Sequence, residues 1–300
     1  MFASGRGITN ALMKKKEYYL VTTSHLLDKL LFKCREDFIA GMNYVAVTAY
    51  TQNIVLLAFI LMSNHMHFVL ECSRQEAELF ITRLKERYGG YYCNKYGEKN
   101  ILKGVDVDIQ ELDSYGESLE QAIAYVIMNS VAARITVDAS GYPWGSGACF
   151  FNSNRITGRP VSSLSGRECA RLFRSRTAPN PSWVVDEDGC IDPRTVVNTG
   201  FVEQRYRSSA RMRYFLGNSS KAKAALERSG LPSFKDQSIL QAVEDLCVSL
   251  FQKTGVDALS RTQAGELLRQ LRRRFSADVG QLCRITGLSY EDATLLLEEF

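Results

Sequence analysis

The sequence predicts an α+β fold, an antiparallel sheet with packed helices followed by a mostly helical C-terminal region. Three observations predict it. Residues 55–62 and 65–72 are apolar runs separated by Ser63-Asn64, a turn signal, so they read as a hairpin. Apolar residues recur at helical spacing on either side of that hairpin, in 28–42 and 74–92. From residue 201 onward the pattern is helical, without a further strand signal.

Composition bounds the answer. The chain has 300 residues, 45% of them hydrophobic and 23% charged, which allows a sizeable core and excludes a disordered chain. Lys14, Lys15 and Lys16 are followed by no apolar segment, so no secretory leader is expected. The longest apolar run, Val55–Met62, is too short to span a bilayer. The expectation is a cytoplasmic, nucleoid-associated protein with no membrane partner. None of the eight cysteines is spaced as C-x-x-C, which argues against a zinc ribbon or a disulfide framework and for buried free thiols.

Element by element, Glu17–Ser24 is rich in β-branched and aromatic residues and predicts the first strand. Asp28–Met42 predicts a helix through Leu30, Leu31, Phe38 and Ile39. The hairpin follows, then a helix over Arg74–Tyr92 with Ala77, Phe80, Ile81 and Leu84 on one side. Lys103–Ile109 is expected to add a strand, in a Gly- and Asp-rich stretch (103–117) expected to be mobile. Ser118–Ile135 predicts a strong helix, with Ser118 as N-cap and Gln121 completing a capping box. The order strand, helix, strand, strand, helix, strand is that of a ferredoxin-like split βαβ unit. This gives a domain over 1–151, a basic irregular connector over 152–200, a helical region over 201–256 and a helix-turn-helix-like domain over 257–300. In the last, Ser260–Phe275, Ala277–Thr286 and Tyr290–Phe300 are the predicted helices, Ser276 and Ser289 the N-caps and Gly287 the turn.

The net charge of +4 is unevenly distributed: residues 151–256 hold 16 basic and 10 acidic side chains. Arg155, Arg159, Arg171, Arg174, Arg205, Arg207 and Arg211 fall there, and Arg272, Arg273 and Arg274 form a run in the tail. Arginine suits bidentate grip on phosphates, so these ten are the candidate nucleic-acid contacts. A merely solvated face fits the same pattern.

His65 and His67 stand at i and i+2 of a strand, so both imidazoles point to one face, while Phe68 and Leu70 serve the other. Two adjacent imidazoles can hold one divalent ion, and two of the chain's three histidines are here. A hydrogen-bonded surface pair is the plainer reading. Tyr125 and Asn129 are four apart on the predicted helix and share a face, with Ala122, Val126, Ile127 and Val131 as docking surface. A packing tyrosine is the plainer reading of one among 14. Tyr88, Tyr91, Tyr92 and Tyr96 cluster at a helix end, where they could stack bases or pack.

The stretch Leu61-Met62-Ser63-Asn64-His65-Met66-His67-Phe68 resembles the L-M-P-N-H-x-H hairpin of single-tyrosine HUH transposases, specifically the REP-associated tyrosine transposases and their insertion-sequence relatives. Ala122–Val131 is similar to their Y-I-x-x-N-P-V helix, and Tyr142-Pro143-Trp144-Gly145-Ser146 looks like their Y-P-W-S-S segment. Three positions depart: Ser63 and Ser130 stand where the pattern has proline, and Gly145 where it has serine.

The resemblance implies a transposase or endonuclease acting on single-stranded or hairpin-forming repeat DNA. Tyr125 would be the nucleophile. His65, His67 and Asn129 would hold a Mg2+ or Mn2+ ion. Cleavage would give a covalent 5′-phosphotyrosine and a free 3′-hydroxyl, conserving the bond energy for strand transfer without ATP. A homodimer and a monomer are both compatible with the resemblance. The alternative is a non-cutting DNA-binding regulator of the same fold. An unrelated metal phosphohydrolase would need carboxylate ligands, and only Glu71 lies on the same strand and face. In the tail, the would-be recognition helix carries Glu291, Asp292, Glu298 and Glu299 without Lys or Arg, a poor surface for a major groove.

Overall fold

The computed structural model describes residues 17–26, 29–219, 236–275, 277 and 279–298. Ser276, expected as an N-cap, lies outside them, as does the end of the last predicted helix.

Four strands form one antiparallel sheet: β1 (Tyr18–Thr23), β2 (Val55–Met62), β3 (His65–Glu71) and β4 (Val107–Leu112). Their order is β2-β3-β1-β4. Strand β1 is flanked by β3 (Tyr18 opposite Glu71, Thr22 opposite His67) and by β4 (Tyr18 opposite Leu112). The segment expected to be mobile therefore supplies an edge strand, starting four residues later than predicted. Its alternating burial, with Val107 and Ile109 half-buried between exposed Asp108 and Gln110, gave too short an apolar pattern to mark its bounds.

Helices α1 (Arg35–Thr51) and α2 (Arg74–Tyr96) cover one face of the sheet. There Phe80 of α2 meets Phe68 of β3, with ring centroids 5.2 Å apart. On α1, Gly41 lets the helix approach β2 closely, since a Cβ there would lie 2.9 Å from Leu61 Cδ1 and 2.6 Å from Phe32 Cε1. Helix α1 begins later than Asp28, because the Asp37 carboxylate accepts from the Lys33 and Cys34 amides and fixes the start at Arg35. Helix α2 starts on the Ser73–Glu76 capping box and stops at left-handed Gly97.

Helix α3 (Ser118–Ile127) lies on the opposite face, and the short α4 (Asn129–Ala132) continues it after Met128. The predicted capping box on Ser118 does not form: Glu117 occupies the cap, and Ser118 Oγ donates to Asp113 O at 2.9 Å. Left-handed Arg134, φ 57°, ends the turn before Ile135. Residues 142–146 then run along the free edge of β2. Leu61 N donates to Trp144 O at 2.8 Å, Ser146 N to Phe59 O at 2.9 Å, and Tyr142 Oη to Leu61 O at 2.8 Å.

The expected irregular connector contains the β5 (Arg159–Pro160) and β6 (Val184–Val185) pair and helix α5 (Gly166–Phe173). Phe173, Trp183, Val185 and Ile191 join the same apolar core as the sheet. Buried Asn43 of α1 anchors this segment: its Nδ2 donates to Gly189 O at 2.9 Å and its Oδ1 accepts from Ile191 N at 3.0 Å. Helices α6 (Thr199–Tyr206) and α7 (Ser209–Asn218) complete that core through Val202, Tyr206, Met212 and Phe215.

A second core is built by α8 (Asp236–Phe251), α9 (Arg261–Phe275), α10 (Val279–Thr286) and α11 (Tyr290–Glu298), around Leu246, Leu267, Leu271, Leu282 and Leu296. Gly287, φ 77°, makes the predicted turn. Ser289 Oγ caps α11 by accepting from Asp292 N at 3.0 Å. The protein is thus of mixed α+β class. Among the described residues no helix is long and apolar enough to cross a membrane.

Candidate active site

The hairpin parity puts His65 and His67 on the α3 side of the sheet. Their ring centroids are 4.8 Å apart and nearly perpendicular. The Tyr125 ring stands edge-on to His67 at 5.5 Å. The sequence-predicted nucleophile and histidine pair, 58 residues apart or more, are therefore in contact. Both histidines are buried, His67 completely, whereas Tyr125 is half-buried.

Each imidazole is held through Nδ1. Thr22, directly opposite His67 on β1, brings its Oγ1 to 3.0 Å from His67 Nδ1. Asn64 Oδ1 lies 2.9 Å from His65 Nδ1. The Asn64 amide is itself oriented, because its Nδ2 donates to Leu26 O at 2.8 Å. With the nitrogen committed there, the oxygen must face His65, so His65 Nδ1 donates and Nε2 carries the ring's lone pair. An asparagine before the first histidine thus fixes the tautomer of that ring.

Asn129 is buried at the start of α4, and its Nδ2 donates to Tyr125 O at 2.8 Å and Val126 O at 3.2 Å. Its oxygen is the atom with ligand capacity. The amide is thereby tied to the turn that carries the tyrosine. Ser130, where the resembling pattern has proline, accepts from Thr136 Oγ1 at 3.0 Å and so holds the loop after the helix.

The third histidine was missed from sequence. His25 lies just beyond β1 and stacks on His65, with centroids 3.7 Å apart and planes 13° from parallel. Parallel rings cannot both aim an in-plane lone pair at one ion, so His25 backs the His65 ring. The available signal was the count alone: all three histidines of the chain meet at this site.

Among the described residues no group of three or more His, Cys, Asp or Glu side chains is arranged to hold a metal ion. Glu71 sits four residues beyond His67 on β3, roughly 13 Å along an extended strand, so the carboxylate-assisted phosphohydrolase loses its ligand. Two imidazoles together with an amide oxygen would make a mixed N/O donor set of the type that suits Mn2+.

The tyrosine cluster of α2 packs. Tyr88 and Tyr92 are buried and donate to Leu31 O and Leu30 O, at 2.7 and 3.1 Å. Tyr91 and Tyr96 donate to the buried Asp37 carboxylate at 2.8 and 2.7 Å.

The arginines divide into two groups. Arg205 Nε lies 3.2 Å from Glu120 of α3, and Arg211 pairs with Glu117 at 2.9 Å, so both brace the tyrosine helix. Arg159 pairs with Glu168 at 3.1 Å. Arg174 ends α5 in left-handed conformation with its guanidinium over the Tyr91 ring at 5.6 Å. Arg155, Arg171, Arg207, Arg272 and Arg274 are exposed. The Arg273 side chain lies outside the described residues.

No family model matches the chain, and no curated protein matches it. Among solved structures, one described as a REP-associated tyrosine transposase bound to a REP hairpin is similar at 10% identity, over 49% of this chain and 82% of that one, with a TM-score of 0.34.

Proposed function

We propose that this chain is a metal-dependent single-stranded DNA endonuclease and strand transferase of the HUH type, with a ferredoxin-like catalytic sheet and DNA that is single-stranded or hairpin-forming as its partner. The observation that carries the reading is the contact of the Tyr125 ring with a histidine pair whose Nδ1 atoms are both engaged.

His65 and His67 would hold the ion through Nε2, with Asn129 Oδ1 as the third protein ligand. A bound Mg2+ or Mn2+ supplies charge that polarises the scissile phosphate and stabilises the transition state. The residues of the chain do the rest. Tyr125 Oη forms a bond to phosphorus as the bond from phosphorus to the 3′-oxygen breaks. The phenol gives up its proton and the departing 3′-oxygen gains one. The products are a 5′-phosphotyrosine and a 3′-hydroxyl, and attack by another strand's 3′-hydroxyl reverses the step. The half-buried setting of Tyr125 lets a strand reach Oη while its ring stays fixed against His67. Arg205 and Arg211, paired to Glu120 and Glu117, hold the tyrosine helix in place. The exposed Arg155, Arg171, Arg207, Arg272 and Arg274 contact phosphates.

The test is covalent capture. Labelled single-stranded hairpin oligonucleotides and Mn2+ are mixed with the protein, which is then denatured and run on a gel. A protein–DNA adduct is expected from wild type and none from Tyr125→Phe. Tight binding without an adduct would make the chain a non-cutting binder, and an adduct surviving Tyr125→Phe would move the nucleophile elsewhere.

A further inference from the structure

One buried carboxylate ties the turn before His65 to the C-terminal four-helix bundle. Asp236, the first residue of α8, is 5% exposed. Its Oδ2 accepts from Ser63 Oγ at 2.6 Å and from Arg284 Nε at 3.0 Å, and its Oδ1 accepts from Gln281 Nε2 at 2.6 Å. Arg284 and Gln281 belong to α10, so the carboxylate binds two helices of the bundle to one residue of the sheet domain. Gln237 adds a second tie by donating Nε2 to Phe32 O at 2.8 Å. The Ser63 carbonyl accepts from both Leu31 N and Phe32 N, at 2.8 and 3.0 Å. The bundle therefore grips the Ser63 turn and the loop hydrogen-bonded to it together. Tyr142 reports the same proximity: burial first, and then the Asp236 carboxylate, push its hydroxyl upward.

The physical consequence follows from the position of Ser63. It directly precedes Asn64, whose amide sets the tautomer and ring plane of His65. A proline at this position, as in the hairpins this segment resembles, has no hydroxyl and could not donate to Asp236. A buried carboxylate left without one of its donors pays a desolvation penalty, so the pair resists separation.

We propose that the C-terminal bundle holds the Ser63-Asn64 turn, and through it the ring of His65, in its metal-binding orientation, with Ser63 and Asp236 as positioning residues. This rests on the reading of the two histidines as metal ligands. The bundle acts on the site from outside it, without a ligand of its own.

The experiment measures Mn2+ binding to the full chain for wild type, Ser63→Ala, Ser63→Thr and His65→Ala, beside hydrogen exchange of the amides in 59–69. Ser63→Ala is expected to lose roughly tenfold in Mn2+ affinity, the lower bound for outer-shell partners of metal ligands. Its turn amides should exchange faster while those of α1 and α2 keep wild-type protection. Ser63→Thr, which keeps the hydroxyl, should restore both. Wild-type affinity and wild-type turn exchange in Ser63→Ala would overturn the proposal. Failure of wild type to bind Mn2+ in a manner that His65→Ala abolishes would instead bring down the metal-ligand reading, and the exchange data would still decide whether the bundle holds the turn.

Discussion

At the scale of single residues, the site depends on side chains that never touch a substrate. Asn64 is oriented by Leu26 O and in turn orients His65, so its carbonyl oxygen is a structural part of the proposed ion site. Asn64→Ala is expected to weaken Mn2+ binding by about 10–100-fold, as outer-shell substitutions do. Isothermal titration checks this, and undiminished binding would remove Asn64 from the site. Gly145 acts by having no side chain. A Cβ there would lie 2.6 Å from Phe59 O and 3.0 Å from Ile60 Cα. Residues 142–146 could then no longer lie along the edge of β2. Gly145→Ala is expected to destabilise by about 1–3 kcal/mol, the usual cost of overpacking, measurable by denaturant titration. A neutral result would mean that the segment shifts without strain.

At the scale of elements, α1 and α2 are clamped by one buried acid. Burial pushes the Asp37 carboxyl up, but hydrogen bonds from Lys95, Tyr96, Tyr91 and the Lys33 amide outweigh it and hold it below the ordinary carboxylate range. A depressed folded-state value means that the stabilisation is present above the unfolded value of about 3.9 and is lost as pH falls through the folded one. On the alkaline side, burial and then Asp37 raise the hydroxyls of Tyr91 and Tyr96. Their contribution is present below about pH 10 and fades as pH rises beyond it. Stability should therefore fall below about pH 4 and again in strong alkali. Asp37→Asn should flatten both limbs while lowering the plateau between them. An unchanged pH profile in that variant would show that other groups carry the dependence.

At the scale of the whole molecule, the described residues form two apolar cores in one chain. The larger runs from β1 to α7, and the smaller is confined to α8–α11. Among the described residues, polar bonds around Asp236 and Gln237 join them. Separate cores joined in this way depart from two-state unfolding. Scanning calorimetry should resolve two transitions, the smaller core melting first, and Asp236→Asn should lower mainly that first transition. A single transition that moves as one would contradict this arrangement. Charge is also organised at this scale. Arginines on α6 and α7 brace α3, whereas Arg272 and Arg274 stand exposed on α9. If α9 contacts phosphates, replacing both with alanine should reduce the slope of log affinity against log salt by roughly 0.7 per lost contact for single strands. An unchanged slope would assign the bundle to positioning alone.

The sequence by itself determined the hairpin, the parity that puts His65 and His67 on one face, the helix carrying Tyr125, and the turn at Gly287. These are local consequences of period-2 and period-3.6 patterning and of turn chemistry, which need no knowledge of distant residues. The single helix expected over Ser118–Ile135, by contrast, breaks at Met128 and leaves Asn129 on a short helix of its own. Only the tertiary structure decided that Tyr125 meets His67, that His25 backs His65, and that Thr22 holds the second ring. Each joins elements far apart in the chain, and no local pattern encodes which faces meet. The same reason explains the edge strand at Val107–Leu112 and the α1 start at Arg35. The first is stabilised by pairing with β1 and the second by the Asp37 carboxylate, rather than by apolar period. The Ser63–Asp236 bond is the extreme case. In sequence Ser63 was simply a missing proline, and its hydroxyl acquired a role only when folding brought a buried carboxylate from residue 236 within reach.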